Sequence, residues 1–299
     1  MPDPLLGPRI KLQRAQHHLV ELERTERQFF EANPCRIVFD TESQPGHKLA
    51  KIVLDARPPE IMHVIAGELI YQLRSALDQT AVAFARLSSG PTKPKQVHYP
   101  TGESWRDFKA KCCGVDKSGK LVGHLRHFDG DLRKAIMRTR PYNGGNETLR
   151  AVFRMANIDK HMELIAIGAS GGIRGMKDFN ISGAHIGLLI GPDGNLNEGV
   201  VFSDLLPEGT ITPKNAQAQI HVAGQVTLGD VSPYTREPLV PFLRSMVEEV
   251  GRVHARLEAL LVETGRKIAQ DSSGIAEKGL SFSFPFGLLS GGNHFRVTG

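Results

Sequence analysis

The stretch from Asn146 to Gly168 reads NETLRAVFRMANIDKHMELIAIG, and its pattern changes part-way along. Apolar residues up to Ile158 recur at helical spacing, which predicts a helix over 146–158. From Glu163 to Gly168 the chain takes up strand period instead. The residues before this switch read as mainly helical, and those from Glu163 to Gly229 as a run of short strands. The expected fold class is therefore α+β: long N-terminal, second and C-terminal helices around one core, with an antiparallel sheet from the middle third.

On the N-terminal side, residues 8–32 read as a long helix opened by Pro8, whose missing N–H has no helical partner to lose in the first turn. Leu12, Ala15, Leu19, Leu22 and Phe29 form one apolar stripe, broken by Glu26, and Asn33-Pro34 ends the helix. Two β-rich runs flank Ser43-Gln44-Pro45-Gly46 and read as a hairpin over 35–55. A second long helix opens at Pro58-Pro59-Glu60 and reaches Ser88, with Met62, Ile65, Leu69, Leu73, Leu77 and Phe84 on its buried side. Shorter helices are expected at 103–111 and 120–139, separated by Gly114, and a Pro141-to-Gly145 turn leads into 146–158.

On the C-terminal side, strands are expected at 163–168, 184–190, 199–202, 218–223 and 225–228. No crossover helix fits between them, which favours an antiparallel meander. Leu243, Met246, Val250, Val253, Leu257 and Leu260 then repeat at 3-4-3-4-3 spacing, the pattern of a helix-packing seam. Packing of this seam on the first helix is the favoured reading, because the chain supplies a matching stripe of its own. A homodimer through the 243–260 seam is the other. The expected organisation is a mainly helical region over 1–160, an antiparallel β region over 161–231, a C-terminal helix over 236–268 packing back on the helical region, and a loosely packed tail over 270–299.

The 299 residues are 40% hydrophobic and 23% charged, an ordinary globular composition that excludes disordered, collagen-like and disulfide-scaffold classes. The first residues lack a charged region followed by a long apolar core, and no window approaches the ~18 apolar residues of a membrane span. Three cysteines, Cys35, Cys112 and Cys113, are too few and too close to read as a disulfide framework. A reducing cytoplasm is the expected setting, with no membrane partner.

The net charge of +5 is unevenly placed. Between residues 91 and 140 stand twelve Lys or Arg against five acids, a local +7, so the rest of the chain is slightly acidic. Lys109, Lys111, Arg126, Arg133, Lys134 and Arg138 are the candidate phosphate contacts in this segment. Tyr99, Trp105, Phe108, Phe128 and Tyr142 are interleaved with them, which suits base stacking or, more plainly, anchoring of a solvated face to the core. RNA or a nucleotide is the expected partner.

Two short constellations could carry chemistry. Arg74 and Asp78 stand one turn apart on the second helix and can pair. Arg154, Asn157, Asp159, Lys160 and His161 cluster at a helix C-terminus, where a cation is favoured and His161 can titrate near neutrality. The competing reading makes Arg74/Asp78 and Asn157/Asp159/His161 a buried polar network in a non-catalytic interaction protein. Other patterns are weaker. Gly168-Ala169-Ser170-Gly171-Gly172 fits a nucleophile elbow but lacks the following helix. His124, His127 and Asp131 have metal-ligand spacing, yet Arg126, Arg133 and Lys134 would repel a cation. No metal or cofactor is expected.

Leu73-Arg74-Ser75-Ala76-Leu77-Asp78, followed about eighty residues later by Asn157-Ile158-Asp159-Lys160-His161, resembles an uncharacterised family of bacterial proteins. His98-Tyr99-Pro100 and Arg140-Pro141-Tyr142 stand where that family carries a short F-P loop and a Q-P-Y turn, so the resemblance covers roughly residues 60–165. It implies no particular activity. The six residues between Arg154 and His161 also resemble the Arg/His pair of HEPN-type helical ribonucleases. That resemblance implies metal-independent RNA cleavage, with His as acid/base at the ribose 2′-hydroxyl and Arg at the phosphorane charge, and puts Arg154, His161, Arg74 and Asp78 forward as catalytic residues. Gln79 stands where the first pair would need His, and Met155 where a polar residue is usual.

Overall fold

A computed structural model describes residues 3–32, 34–40, 49–54, 56–89, 97–161, 167–176, 188–189, 220–229, 233–234 and 236–276. Among these, the chain is mainly helical. Helix α1 spans Leu6–Glu31 and α2 spans Ile61–Ser89, with β1 (Cys35–Asp40) and β2 (Leu49–Leu54) between them. Three shorter helices follow: α3 (Trp105–Cys113), α4 (Gly130–Met137) and α5 (Glu147–His161). After β3 (Ile167–Met176), β4 (Leu188–Leu189) and β5 (Ile220–Leu228), the long α6 runs Leu239–Ala276.

Apolar periodicity places the core. All six residues expected on the buried face of α2, Met62, Ile65, Leu69, Leu73, Leu77 and Phe84, are at most 3% exposed. The stripe on α1 and the seam on α6 close against them. Leu243, Met246, Val250, Val253 and Leu257 are 0–2% exposed within a single chain. Contacts with α1, α2 and α5 cover these five residues, as the favoured reading expects, while Leu260 is only partly buried. Removing each such side chain from water contributes roughly 1.5–3 kcal/mol, which is why this packing dominates.

Glu26, the break in the α1 stripe, has a specific cause. Its carboxylate accepts the backbone N–H of Val226 at 2.7 Å, tying α1 to β5. Burial pushes the Glu26 carboxyl up, opposed by that same hydrogen bond.

The sheet expected from the middle third is limited, among the described residues, to β3 paired antiparallel with β4 and β5. Ile167 lies opposite Leu228, and the register shifts between Ile173 and Gly175. The two strands expected at 218–223 and 225–228 are one continuous strand. Of the expected 184–190 strand, only Leu188 and Leu189 are described as paired. The expected strand at 199–202, the first residues of 163–168 and most of the 270–299 tail lie outside the described residues. The hairpin over 35–55 pairs Cys35 with Leu54 through Asp40 with Leu49; its turn lies outside the described residues.

The expected helix over 120–139 is replaced by a 3-10 turn at His124–His127 and by α4. Capping explains the break. Asp129 Oδ1 accepts the N–H groups of Asp131 (3.0 Å) and Leu132 (2.8 Å), which starts a new helix there. Ser104 caps α3 through the Asp107 N–H at 3.3 Å, and the Asp107 carboxylate returns to the Glu103 N–H at 2.9 Å.

Candidate functional site

Arg74 and Asp78 meet as their spacing on α2 implies. Arg74 Nε donates to Asp78 Oδ2 at 3.0 Å, and both side chains are about a quarter exposed. Asp78 Oδ1 takes the backbone N–H of Tyr99 at 2.8 Å. The Arg74 guanidinium lies 4.4 Å from the centre of the Phe153 ring on α5, and that ring stacks on Tyr99 at 5.9 Å. Both carboxylate oxygens of Asp78 are thus occupied, and Arg74 is held between Asp78 and the Phe153 ring. The pair fastens the 97–100 segment and α5 to α2.

The α5 residues do not join it. Arg154 follows Phe153 in sequence but sits about 100° around the helix, on the side of Arg150 and Tyr234. Burial raises the Tyr234 hydroxyl, and Arg150 and Arg154 act against that shift, which places both guanidinium groups near the ring. Arg150 is itself bound to Glu103 Oε2 at 2.5 Å and to Glu147 Oε2 at 3.4 Å. His161 is the last residue of α5, seven residues beyond Arg154, so the helix puts both on one face about 10 Å apart along its axis. The His161 side chain lies outside the described residues. Arg74 contacts α5 at Phe153, eight residues and about 12 Å of helix before His161. Arg74 and Asp78 therefore form a pair of their own, and Arg154 lies on a different side of α5.

The expected buried network of Asn157, Asp159 and His161 is also divided. Asn157 is exposed. Asp159 reaches the backbone of Gly67 on α2, where a side chain on residue 67 would collide with its carboxylate. Burial pushes the Asp159 carboxyl up.

The described part of the basic segment, residues 97–140, folds into a lobe of short elements between α2 and α5. Tyr99, Phe108, Phe128 and Tyr142 are at most 6% exposed, so these aromatics anchor the lobe and present no face to a base. Trp105, 46% exposed, is the exception; it leans on Tyr142 with ring centres 5.7 Å apart. The Tyr99 hydroxyl donates to Thr139 Oγ1 at 2.9 Å, and complete burial raises the phenol well above its usual value. Arg140, at φ 54°, occupies the left-handed region, and its Nε donates to the Tyr142 hydroxyl at 2.9 Å.

The candidate phosphate contacts differ in freedom. Lys109, Lys134 and Arg138 are exposed. Lys134 approaches Asp131 at 3.4 Å with both groups largely in solvent, and Lys111 pairs with Asp107 at 2.8 Å. Arg133 is turned inward, donating to the Phe128 carbonyl at 2.9 Å with its Nε buried, and is a positioning residue for the turn before α4. Arg126 Nη1 folds back on the carbonyls of Val122 (3.3 Å) and Gly123 (3.4 Å).

Two histidines come into this lobe that spacing did not single out as phosphate contacts. His124 opens the 3-10 turn, which is fixed to α3 by hydrogen bonds from Val122 N (2.8 Å) and Gly123 N (3.1 Å) to the Gly114 carbonyl. Leu125, fully buried, roots the turn in the core. His98 precedes Tyr99, whose N–H is held by Asp78. Burial first, and then the nearby His98, Arg126 and Lys111, hold the His124 imidazole below its usual value, with Asp78 acting the other way. Sequence spacing does not reveal the seating of this turn against α2 and α3.

Ser170 sits mid-strand opposite Gln225, so no nucleophile elbow is formed. Among the described residues, no group of three or more His, Cys, Asp or Glu side chains has metal-binding geometry, and no helix is long and apolar enough to cross a membrane. Cys112 is buried on α3, and burial with the adjacent Cys113 pushes its thiol up to about 12. Comparison of the chain with protein-family models, curated proteins and solved structures gives no match.

Proposed function

We infer that this chain is an RNA- or nucleotide-binding protein of the bacterial cytoplasm, built on an α+β scaffold, with the 97–140 lobe as its contact surface. The observation that carries the reading is a local charge of +7 over residues 91–140, of which Lys109, Lys134 and Arg138 face solvent. Phosphates release counterions when such side chains replace them, so binding of this kind weakens with salt. Titration of a single-stranded RNA oligonucleotide at several salt concentrations tests it. A log–log slope of about −0.7 per phosphate contact supports the reading, and a flat slope removes it.

A metal-independent ribonuclease of HEPN type is the further step, with Arg154 and His161 on one face of α5 as its pair. His161→Ala should abolish RNA cleavage by the purified chain while leaving binding to the lobe in place; unchanged cleavage ends the catalytic assignment. For Arg74 and Asp78, the non-catalytic alternative has the better support. The two are paired with each other, Arg74 is also engaged by Phe153 of α5 and Asp78 by the Tyr99 backbone, which describes a structural clasp.

A further inference from the structure

Tyr142 is buried, yet two exposed side chains of opposite character lie against its ring. The Trp105 indole, 46% exposed at the start of α3, has its ring centre 5.7 Å from that of Tyr142 and 6.2 Å from that of Phe108. The Arg140 guanidinium carbon lies 5.8 Å from the Tyr142 ring centre, and Arg140 Nε donates to the Tyr142 hydroxyl at 2.9 Å. Both seats are firm. Phe108, fully buried, and Tyr142 back the indole. The Arg140 carbonyl accepts the N–H groups of Tyr142 (2.8 Å) and Asn146 (2.7 Å), which holds the residue at φ 54°. Glycine or asparagine takes that left-handed conformation more cheaply; here the strain sets a guanidinium on the ring that also carries the indole. The charge around the indole is one-sided. Arg106, next in sequence, and Lys109, one helical turn on, are both exposed. Neither they nor Arg140 make an ion pair among the described residues, whereas the neighbouring acids are engaged. Asp107 takes Lys111 at 2.8 Å, Glu103 takes Arg150 at 2.5 Å, and Glu147 takes Arg150 at 3.4 Å and the Gly144 N–H at 2.6 Å.

We propose that Trp105 is a stacking platform for one unpaired base of single-stranded RNA, with Arg106, Lys109 and Arg140 taking the phosphates that flank it. This deepens the RNA-binding reading and rests on it. The occupant follows from two chemistries placed side by side. A wide π-face in contact with water and bordered by cations matches a ligand that carries flat rings along an anionic backbone. An acidic peptide would satisfy the cations and leave the indole without a flat partner. A duplex would do the same, because its bases are already stacked on one another. Every base has a π-face, so the contact tolerates any sequence. The other aromatics of the lobe are buried, which limits the platform to a single base.

Trp105 is the sole tryptophan of the chain, so its emission reports on this site alone. The full chain is titrated with a single-stranded RNA oligonucleotide, with the same sequence as a blunt duplex, and with inorganic polyphosphate. Binding is followed by calorimetry and the site by tryptophan emission. Single-stranded RNA should quench that emission to saturation, while polyphosphate binds with a salt-dependent affinity and leaves it nearly unchanged. Trp105→Ala should lose roughly tenfold in affinity for the single strand at an unaltered salt slope, and lose nothing for polyphosphate. Trp105→Phe should recover most of that loss, which separates stacking from a disturbed α3. Arg140→Gly suits a φ of 54° and so removes the guanidinium without straining the turn; it should make the log–log salt slope for RNA shallower by about 0.7. Equal quenching by polyphosphate or by the duplex, or Trp105→Ala binding the single strand like the parent chain, overturns the proposal. The two readings fail differently. RNA that binds with a steep salt slope and leaves the Trp105 emission unmoved refutes the platform and spares the RNA-binding surface. Absence of RNA binding removes the underlying reading, and the platform with it.

Discussion

Helix α2 and the lobe between Tyr99 and Asn146 lie side by side and are held by different forces. Along α2 the face toward α1, α5 and α6 is hydrocarbon, and its position follows from spacing alone. In the lobe the elements are short, and each boundary is set by one polar side chain: Ser104 for α3, Asp129 for α4, Asn146 for α5. Asp116 Oδ1 likewise gathers the Ser118 N–H (2.9 Å), the Ser118 hydroxyl (2.6 Å) and the Lys120 N–H (3.1 Å) into a tight loop. A core built by area has many equivalent contributors. A lobe built by caps has a few, and each loss is local.

The sharpest break of this contrast is Leu69→Ala. With Leu69 fully buried, the substitution should cost about 2–5 kcal/mol in urea unfolding and destabilise the whole chain. A cost confined to α2 would mean that the helices are not one cooperative core.

Next in size is Asp78→Asn, which weakens the acceptor for the Tyr99 N–H and leaves the half-buried Arg74 without its counter-charge. Roughly 1–3 kcal/mol is expected, and a double-mutant cycle with Arg74→Met should give a coupling of at least ~0.5 kcal/mol. Zero coupling would refute the clasp between core and lobe.

Removing a lobe boundary should do less. Asp129→Ala is expected to cost about 0.5–2 kcal/mol. Hydrogen exchange should show the loss at the amides of Asp131 and Leu132, with those of α2 protected as before. Global acceleration of exchange would erase the distinction between the two regions.

The smallest effect is a pH dependence seated in the core. His254 on α6 is buried, with Nδ1 3.2 Å from the Thr80 hydroxyl of α2 and Nε2 3.7 Å from Glu258. Burial, with some help from Arg9, lowers its pKa from the ordinary 6.5, while Glu258 opposes the shift. The unfolded chain therefore takes a proton more readily than the folded one. Stability from this group is complete above that ordinary value and falls as pH drops below it, until the folded-state pKa is passed. Chemical denaturation from pH 8 to pH 5 should show the decline, and His254→Gln should flatten it. An unchanged slope would assign the decline to other groups.

The core was legible because burial alone decided it. Met62 through Phe84 on α2 and Leu243 through Leu257 on α6 need only a consistent stripe, and hydrocarbon has no second use for such spacing. Glu26 marks the limit of that reasoning: it breaks a good stripe for the sake of one N–H two hundred residues away in β5. The expected helix over 120–139 failed for a related reason, since Asp129 offers its side chain to two amides and a continuous helix cannot use it so. Of the candidate site, the i,i+4 pair of Arg74 and Asp78 was readable as local geometry. The seating of the His124 turn was not, because it depends on where a short element docks. Nor could the interleaved aromatics be told apart: Phe108 and Trp105 share one helix, and one is buried while the other is half in water.

Cys112 turns this architecture into a clock. Its sulfur is sealed in the core beneath α3, and a thiol whose pKa stands at about 12 holds almost no thiolate at neutral pH. An alkylating reagent attacks the thiolate and must also reach it. Modification of Cys112 therefore waits for α3 to lift away, and its half-time counts those departures in the unaltered chain. Cys113, one residue on and only partly covered, marks the rate of a sulfur that need not wait so long. The ratio of the two half-times compares a sulfur that α3 must release with one that it leaves partly open.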